Sequence, residues 1–163
     1  MSQAALPIGL ATPHERVGLS GLEFVEAMGA GRLPMPPMSG VIPTRPYACR
    51  VGEAEFRAAP EDRFANPMGT THGGWALTQL DTVMAIAACT TLEKGQGFAT
   101  LETSGKFVRP ITPRAGEMRI LGHVINRGRS IITLEGRIED LEGRIYAHGT
   151  STVQVLKLEK LNS

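Results

Sequence analysis

With 163 residues, 42% of them apolar, the chain has room for one globular unit with a substantial core. A net charge of +1 gives no reason to expect a nucleic-acid or membrane partner. The first fifteen residues carry Pro7, His14 and Glu15 in place of a basic-then-apolar leader. No run approaches the roughly 18 consecutive apolar residues of a membrane span, so a soluble, cytoplasmic protein is expected. In that setting Cys49 and Cys89 read as reduced, buried thiols rather than a disulfide.

Residues 1–17 mix Pro, Gly and Ala without periodicity and are expected to form a loose arm. Ser20 followed by Glu23 is a capping-box pattern, and Leu22, Phe24, Val25 and Met28 supply the apolar face of a short helix ending near Gly29–Gly31. The prolines between Leu33 and Gly40 then force a connector. Residues 1–40 are thus an N-terminal arm, and 41–157 the main domain.

Two strands are expected over Val41–Val51 and Glu53–Ala58, the first at an edge because of Pro43 and Pro46. A long helix should start in the stretch from Asn66 to Asp81, capped by Thr70 or Thr71, and run to about Glu93. From Phe98 the period becomes two. Strands follow over Ala99–Phe107, Met118–Val124, Ile132–Ile138 and Ile145–Val155, the last three joined by short turns into an antiparallel meander. The fold class is therefore α+β, a curved antiparallel sheet wrapped around a long central helix, with free edges on the last strands inviting dimerisation.

Asp81 stands between Leu80 and Val83 on a helix otherwise bound for the core. It either occupies a solvated stripe with Thr78 and Thr82 or serves as a base or nucleophile. Gly73 and Gly74 either permit close packing or leave first-turn amides free to face an oxyanion. Eight residues separate Gly73 from Asp81, about 12 Å along one helix, too far to act on one carbonyl. If both are catalytic, a twofold dimer must bring Gly73 of one chain to Asp81 of the other.

His72 has no nucleophile elbow beside it and no ligand partner at metal spacing, so it should brace the helix start, and no metal is expected. His123 and His148 are expected on strands as structural or solvated side chains. Phe64, Met68, Trp75 and Met84 either line an acyl pocket or are plain core. Arg109, Arg127 and Arg129, with Lys106, form a basic cluster that is either a solvated rim or a phosphate site.

The pattern Asn66-Pro-x-Gly-x-x-His-Gly-Gly followed by Asp81, with Phe107-Val-Arg-Pro110 ending the next strand, resembles the hotdog-fold acyl-CoA thioesterases of the phenylacetate-degradation (PaaI-like) type over roughly residues 40–156. The resemblance implies hydrolysis of an acyl-CoA thioester to free acid and CoA by a homodimer, commonly paired again into a homotetramer, with no cofactor besides the CoA of the substrate. It implies that the Gly73 amide polarises the carbonyl, Asn66 holds the thioester or its sulfur, Asp81 of the partner chain activates water or attacks directly, and Thr100 orients water and carboxylate. Two other readings are a non-enzymatic acyl-CoA sensor and a hotdog hydratase or dehydratase. Nothing in the residues distinguishes aryl from short- or medium-chain acyl groups.

Overall fold

A helix that is apolar on nearly every side must be covered on nearly every side. In the computed structural model, which describes residues 6–158, that helix is α4, Gly73–Cys89. One antiparallel sheet curves around it, built from β1 (Arg45–Arg50), β2 (Glu53–Ala58), β3 (Gln96–Phe107), β4 (Met118–Arg127), β5 (Ile131–Glu139) and β6 (Ile145–Lys157) in the order β1-β2-β4-β5-β6-β3. This is the expected hotdog arrangement. Leu80, Val83 and Met84 are fully buried between helix and sheet, each contributing about 1.5–3 kcal/mol by leaving water.

A row of glycines lets the helix sit so deep. Gly122 of β4 is in register with Gly136 of β5, Gly136 with Gly149 of β6, and Gly149 with Gly105 of β3. A Cβ at Gly122 would lie 2.7 Å from the Val83 carbonyl oxygen, one at Gly136 2.9 Å from Met84 Cγ, and one at Gly105 3.2 Å from Leu77 Cδ1. Gly122 thus makes room for helix backbone and Gly136 and Gly105 for helix side chains, while Gly149 makes room for the neighbouring strand, a Cβ there lying 2.1 Å from the Ser104 carbonyl oxygen.

The opposite face of the sheet is charged. Ion pairs run from Arg45 to Glu117 (2.7 Å), Arg57 (3.4 Å), Glu55 (2.7 Å), Arg119 (3.0 Å), Glu139 (2.7 Å) and Arg137 (2.8 Å), and the Arg57 guanidinium lies over the Tyr47 ring. Hydrogen bonding from Arg119 holds the Glu55 carboxyl below the usual carboxylate range.

Several boundaries differ from expectation for local reasons. The arm is not loose over 12–17: Thr12 and Glu15 form a capping box with Pro13 at the first helical position, starting α1 (Pro13–Gly18). Residues 1–5 lie outside the described residues. Ser20 and Glu23 cap α2 (Gly21–Gly29) as expected. Gly21 is pressed onto the end of α4, where a Cβ would lie 1.6 Å from the Cys89 carbonyl oxygen. Val25, Ala27, Met28, Leu33 and Met35 of the arm are buried in the same core as α4.

A short helix, α3 (Met38–Val41), replaces the start of the expected first strand. Helix α4 stops four residues before Glu93, where the Thr90 and Thr91 hydroxyls donate to the Ala87 and Ala88 carbonyls. The last strand is not an edge, since β6 pairs with β5 on one side and β3 on the other; the edges are β1 and β3. Among the described residues, no helix is long and apolar enough to cross a membrane.

Candidate active site

The loop before α4 is built around Asn66. Its Oδ1 accepts from the Met68 and Thr70 amides (2.9 and 3.2 Å), and its Nδ2 donates to Thr70 Oγ1 (2.8 Å). Gly69, at φ +78°, completes the turn with an N–H bond to the Asn66 carbonyl. The Thr71 amide donates to the Ile111 carbonyl and the His72 amide to the Phe64 carbonyl. The loop is thereby tied on both sides.

Neither Thr70 nor Thr71 caps the helix. His72 does, its Nδ1 accepting from the Gly74 N–H at 2.9 Å, which places the ring proton of the neutral form on Nε2. The Trp75 N–H turns back to the His72 carbonyl. Gly73, the first helical residue, has no helical acceptor for its own N–H. The Phe107 ring lies over it, so that a Cβ there would be 3.1 Å from the ring. Both glycines therefore allow close packing, of Phe107 on Gly73 and of the His72 ring on Gly74. A groove of about 260 Å³ opens here, lined among others by Asn66, Thr71, Gly73, Phe107 and Ile111. The buried Thr71 hydroxyl has no hydrogen-bond partner among the described residues.

Two turns on, Asp81 is half-buried, and its Oδ1 accepts from Thr103 Oγ1 at 2.6 Å. Ser151 Oγ lies 3.1 Å from that hydroxyl and donates to the Glu102 carbonyl at 2.8 Å. With Thr103's single proton given to Asp81, the carboxylate is fixed at one oxygen. Oδ2 has no partner among the described residues.

The hydroxyl on Asp81 belongs to Thr103, where the resemblance had pointed to Thr100. A bulge at Leu101 is the cause: Thr100 pairs with Val153 and Thr103 with Ser151, two positions apart on β6. Both threonines thus face the helix side of the sheet, whereas strict alternation puts them on opposite sides. Thr100 is exposed in the single protomer.

Of the residues considered for an acyl pocket, Trp75 is 2% exposed and Met84 fully buried; both are core, Met84 lying against Gly136 of β5. Phe64 is half-buried under the Arg63 guanidinium, and Met68 stands exposed at the loop tip. The basic cluster is divided. Arg127 reaches Gln96 at the start of β3 (3.3 Å), while Arg109, whose guanidinium donates to the Ile145 carbonyl, follows the end of β3. Twelve strand residues place these ends about 40 Å apart. Arg129 is exposed in the turn after Arg127, His148 is exposed, and His123 lies 3.8 Å from Glu135. Among the described residues, no three His, Cys, Asp or Glu side chains converge on a metal position.

The thioesterase superfamily profile matches residues 68–147, which contain both halves of this arrangement. The crystal structure of a candidate thioesterase from Ralstonia eutropha JMP134, described as phenylacetic acid degradation-related, is 30% identical with a TM-score of 0.73, the match covering 79% of this chain and 97% of that one. The chain belongs to the thioesterase superfamily. A candidate esterase from Haemophilus influenzae is 26% identical over 98 residues, 60% of this chain and 70% of the relative. A thioesterase-family structure from Streptococcus pneumoniae TIGR4, solved with coenzyme A, shares the fold at 21% identity and a TM-score of 0.64, covering 70% of this chain and 89% of that one.

As a member of the thioesterase superfamily the chain is an enzyme of the thioester hydrolase class. In those terms the protomer holds two separate pieces of chemistry, an uncommitted amide under Phe107 and an oriented carboxylate beside Thr103. Sequence reasoning missed Thr103, Thr71 and the cover Phe107 places on Gly73. Only the bulge, invisible in the residue pattern, would have exposed the first.

Proposed function

We propose that the chain hydrolyses acyl-CoA thioesters as a dimer joined edge to edge through β3, each site combining Gly73 of one protomer with Asp81 of the other. One observation carries this reading. Gly73, Leu77 and Asp81 follow at i, i+4 and i+8 along one side of α4, and the middle residue, Leu77, packs against Gly105 of the edge strand β3. A twofold axis near Leu77 exchanges the two ends of that row and sets Gly73 opposite the partner subunit's Asp81. The unpaired edge of β3 favours such an axis.

In the proposed reaction the Gly73 N–H receives the carbonyl oxygen as it gains negative charge. Asp81 either takes a proton from water, whose oxygen adds to the carbonyl carbon, or attacks that carbon itself. Thr103 holds Oδ1, directing Oδ2 to this work. With water as the nucleophile, the C–S bond breaks, the proton held by Asp81 passes to the departing thiolate, and carboxylic acid and CoA are released. With Asp81 as the nucleophile, CoA leaves first and water then hydrolyses the acyl–Asp81 anhydride to free the acid. Asn66 acts by fixing the loop that presents Gly73, with one Nδ2–H left for the substrate sulfur or carbonyl, and Thr100 is a second hydroxyl available to water. The antiparallel join also brings the start of one β3 toward the end of the other, so Arg127 and Arg129 of one chain approach Arg109 of its partner and can meet CoA phosphates together. The coenzyme A bound by the pneumococcal fold relative is consistent with this ligand. His72 Nδ1 is occupied by its own helix, which leaves little for the base of a hydratase.

Thiol release measured over acetyl-, hexanoyl-, decanoyl-, benzoyl- and phenylacetyl-CoA tests the reading. Turnover of at least one is expected, together with a dimer in solution. Saturable binding without release across the panel would overturn hydrolysis and leave a sensor.

A further inference from the structure

The arm outside the matched family region roofs a second cavity. About 510 Å³ in volume, it lies between the arm and the C-terminal half of α4. Its floor is Thr82, Ile86 and Cys89, at i, i+4 and i+7 on one side of the helix. Met28 and Met35 of the arm and Phe98 of β3 supply apolar walls, the methionines able to adapt to a flexible occupant. Burial pushes the Cys89 thiol up to about 12, so it stays neutral and serves as wall.

The floor begins at the residue after Asp81. From Thr82 to Cys89 is seven residues, about 10 Å along the helix. An extended alkyl chain advances about 1.25 Å per carbon, given C–C bonds of about 1.5 Å, so the floor matches about eight carbons. A ring attached directly at the carbonyl stops short of Ile86.

We propose that this cavity takes the tail of the acyl group, making straight-chain acyl-CoAs of about eight to twelve carbons the preferred substrates, with the arm setting chain length. The inference rests on the acyl-CoA thioesterase reading above. The acyl carbon sits at Asp81 and the tail runs along the same protomer's α4 beneath Met28 and Met35.

The test uses the full chain and the half-buried arm positions Ala11 and Ser39, which line the cavity and take no part in the proposed chemistry. For the wild type, kcat/KM should rise about fourfold per methylene once the tail passes Thr82. Ala11→Phe and Ser39→Trp should each lower kcat/KM for decanoyl-CoA at least tenfold and leave acetyl-CoA unchanged. Decanoic acid should raise the melting temperature of the wild type and not of the filled variants, a readout independent of turnover. A wild-type profile flat with chain length or highest for phenylacetyl-CoA overturns the cavity assignment and leaves thioester hydrolysis standing; so does a variant profile unchanged from wild type. No release from any acyl-CoA, with decanoate binding lost in the variants, removes the hydrolysis reading and keeps an acyl-binding cavity. Absence of both release and decanoate binding removes both.

Discussion

The two faces of the sheet solve different problems. On the inner face, side chains are deleted: Gly122 gives way to helix backbone and Gly136 and Gly105 to helix side chains, and Asp81 with Thr103 sits where that helix meets the strands. On the outer face, side chains are added, as a ladder of arginines and glutamates that satisfy one another. Space is the scarce quantity inside, and charge is the one managed outside. A substitution of equal size should therefore cost far more on the inner face.

The largest expected effect is Asp81→Asn, which keeps shape and loses basicity. Turnover in a thiol-release assay should fall about 10³-fold while acyl-CoA binding persists; near wild-type turnover would sink the mechanism. Mixing this variant with an inactive Asn66→Ala variant should restore about a quarter of wild-type activity, since half of randomly mixed dimers are hybrids with one intact site. No recovery in demonstrably mixed dimers would put both half-sites in one chain.

Next is Gly122→Val. Its Cβ alone would lie 2.7 Å from the Val83 carbonyl oxygen and 2.8 Å from the carbonyl carbon, and denaturant titration should show a loss of about 3 kcal/mol or more. Thr103→Val should lower kcat about tenfold with KM little changed, and Thr103→Ser should recover most of it; if Thr103→Ser fails as badly, the hydroxyl is not what matters.

Glu55→Gln on the outer face is the smallest, about 1 kcal/mol or less by thermal melts at neutral pH. Because Arg119 lowers the folded-state pKa of Glu55, its stabilisation is complete above the unfolded glutamate value of about 4.3 and is lost as pH falls through the lower folded value. Glu55→Gln should accordingly flatten the acid side of the melting curve. An outer-face effect equal to that of Gly122→Val would erase the contrast.

Much of this was legible in the residues. The helix, the meander of β4 to β6, the Ser20–Glu23 cap and the Gly73–Asp81 spacing follow from period and local chemistry. The glycines were written there too, as Gly105, Gly122, Gly136 and Gly149, but a cross-strand row appears only when register is known. Thr103 was hidden by one extra residue at Leu101, which reverses facing after it. Arg109 and Arg127 look adjacent in composition and lie at opposite ends of β3, because the strand between the two segments pairs far from where sequence order suggests. The α1 capping box is legible in Thr12-Pro-His-Glu15, whose proline at the first helical position starts the helix instead of breaking it.

The pairing of edge strand β3 with β6 alone also orders events in time. Gln96 pairs with Lys157 and Phe107 with Ala147, so β3 waits for the last strand before it has any strand partner in its own chain. Such long loops close late and fold slowly. During synthesis the surface proposed to join two copies is consequently finished last, and the proposed dimer can assemble only once the chain has been made through β6.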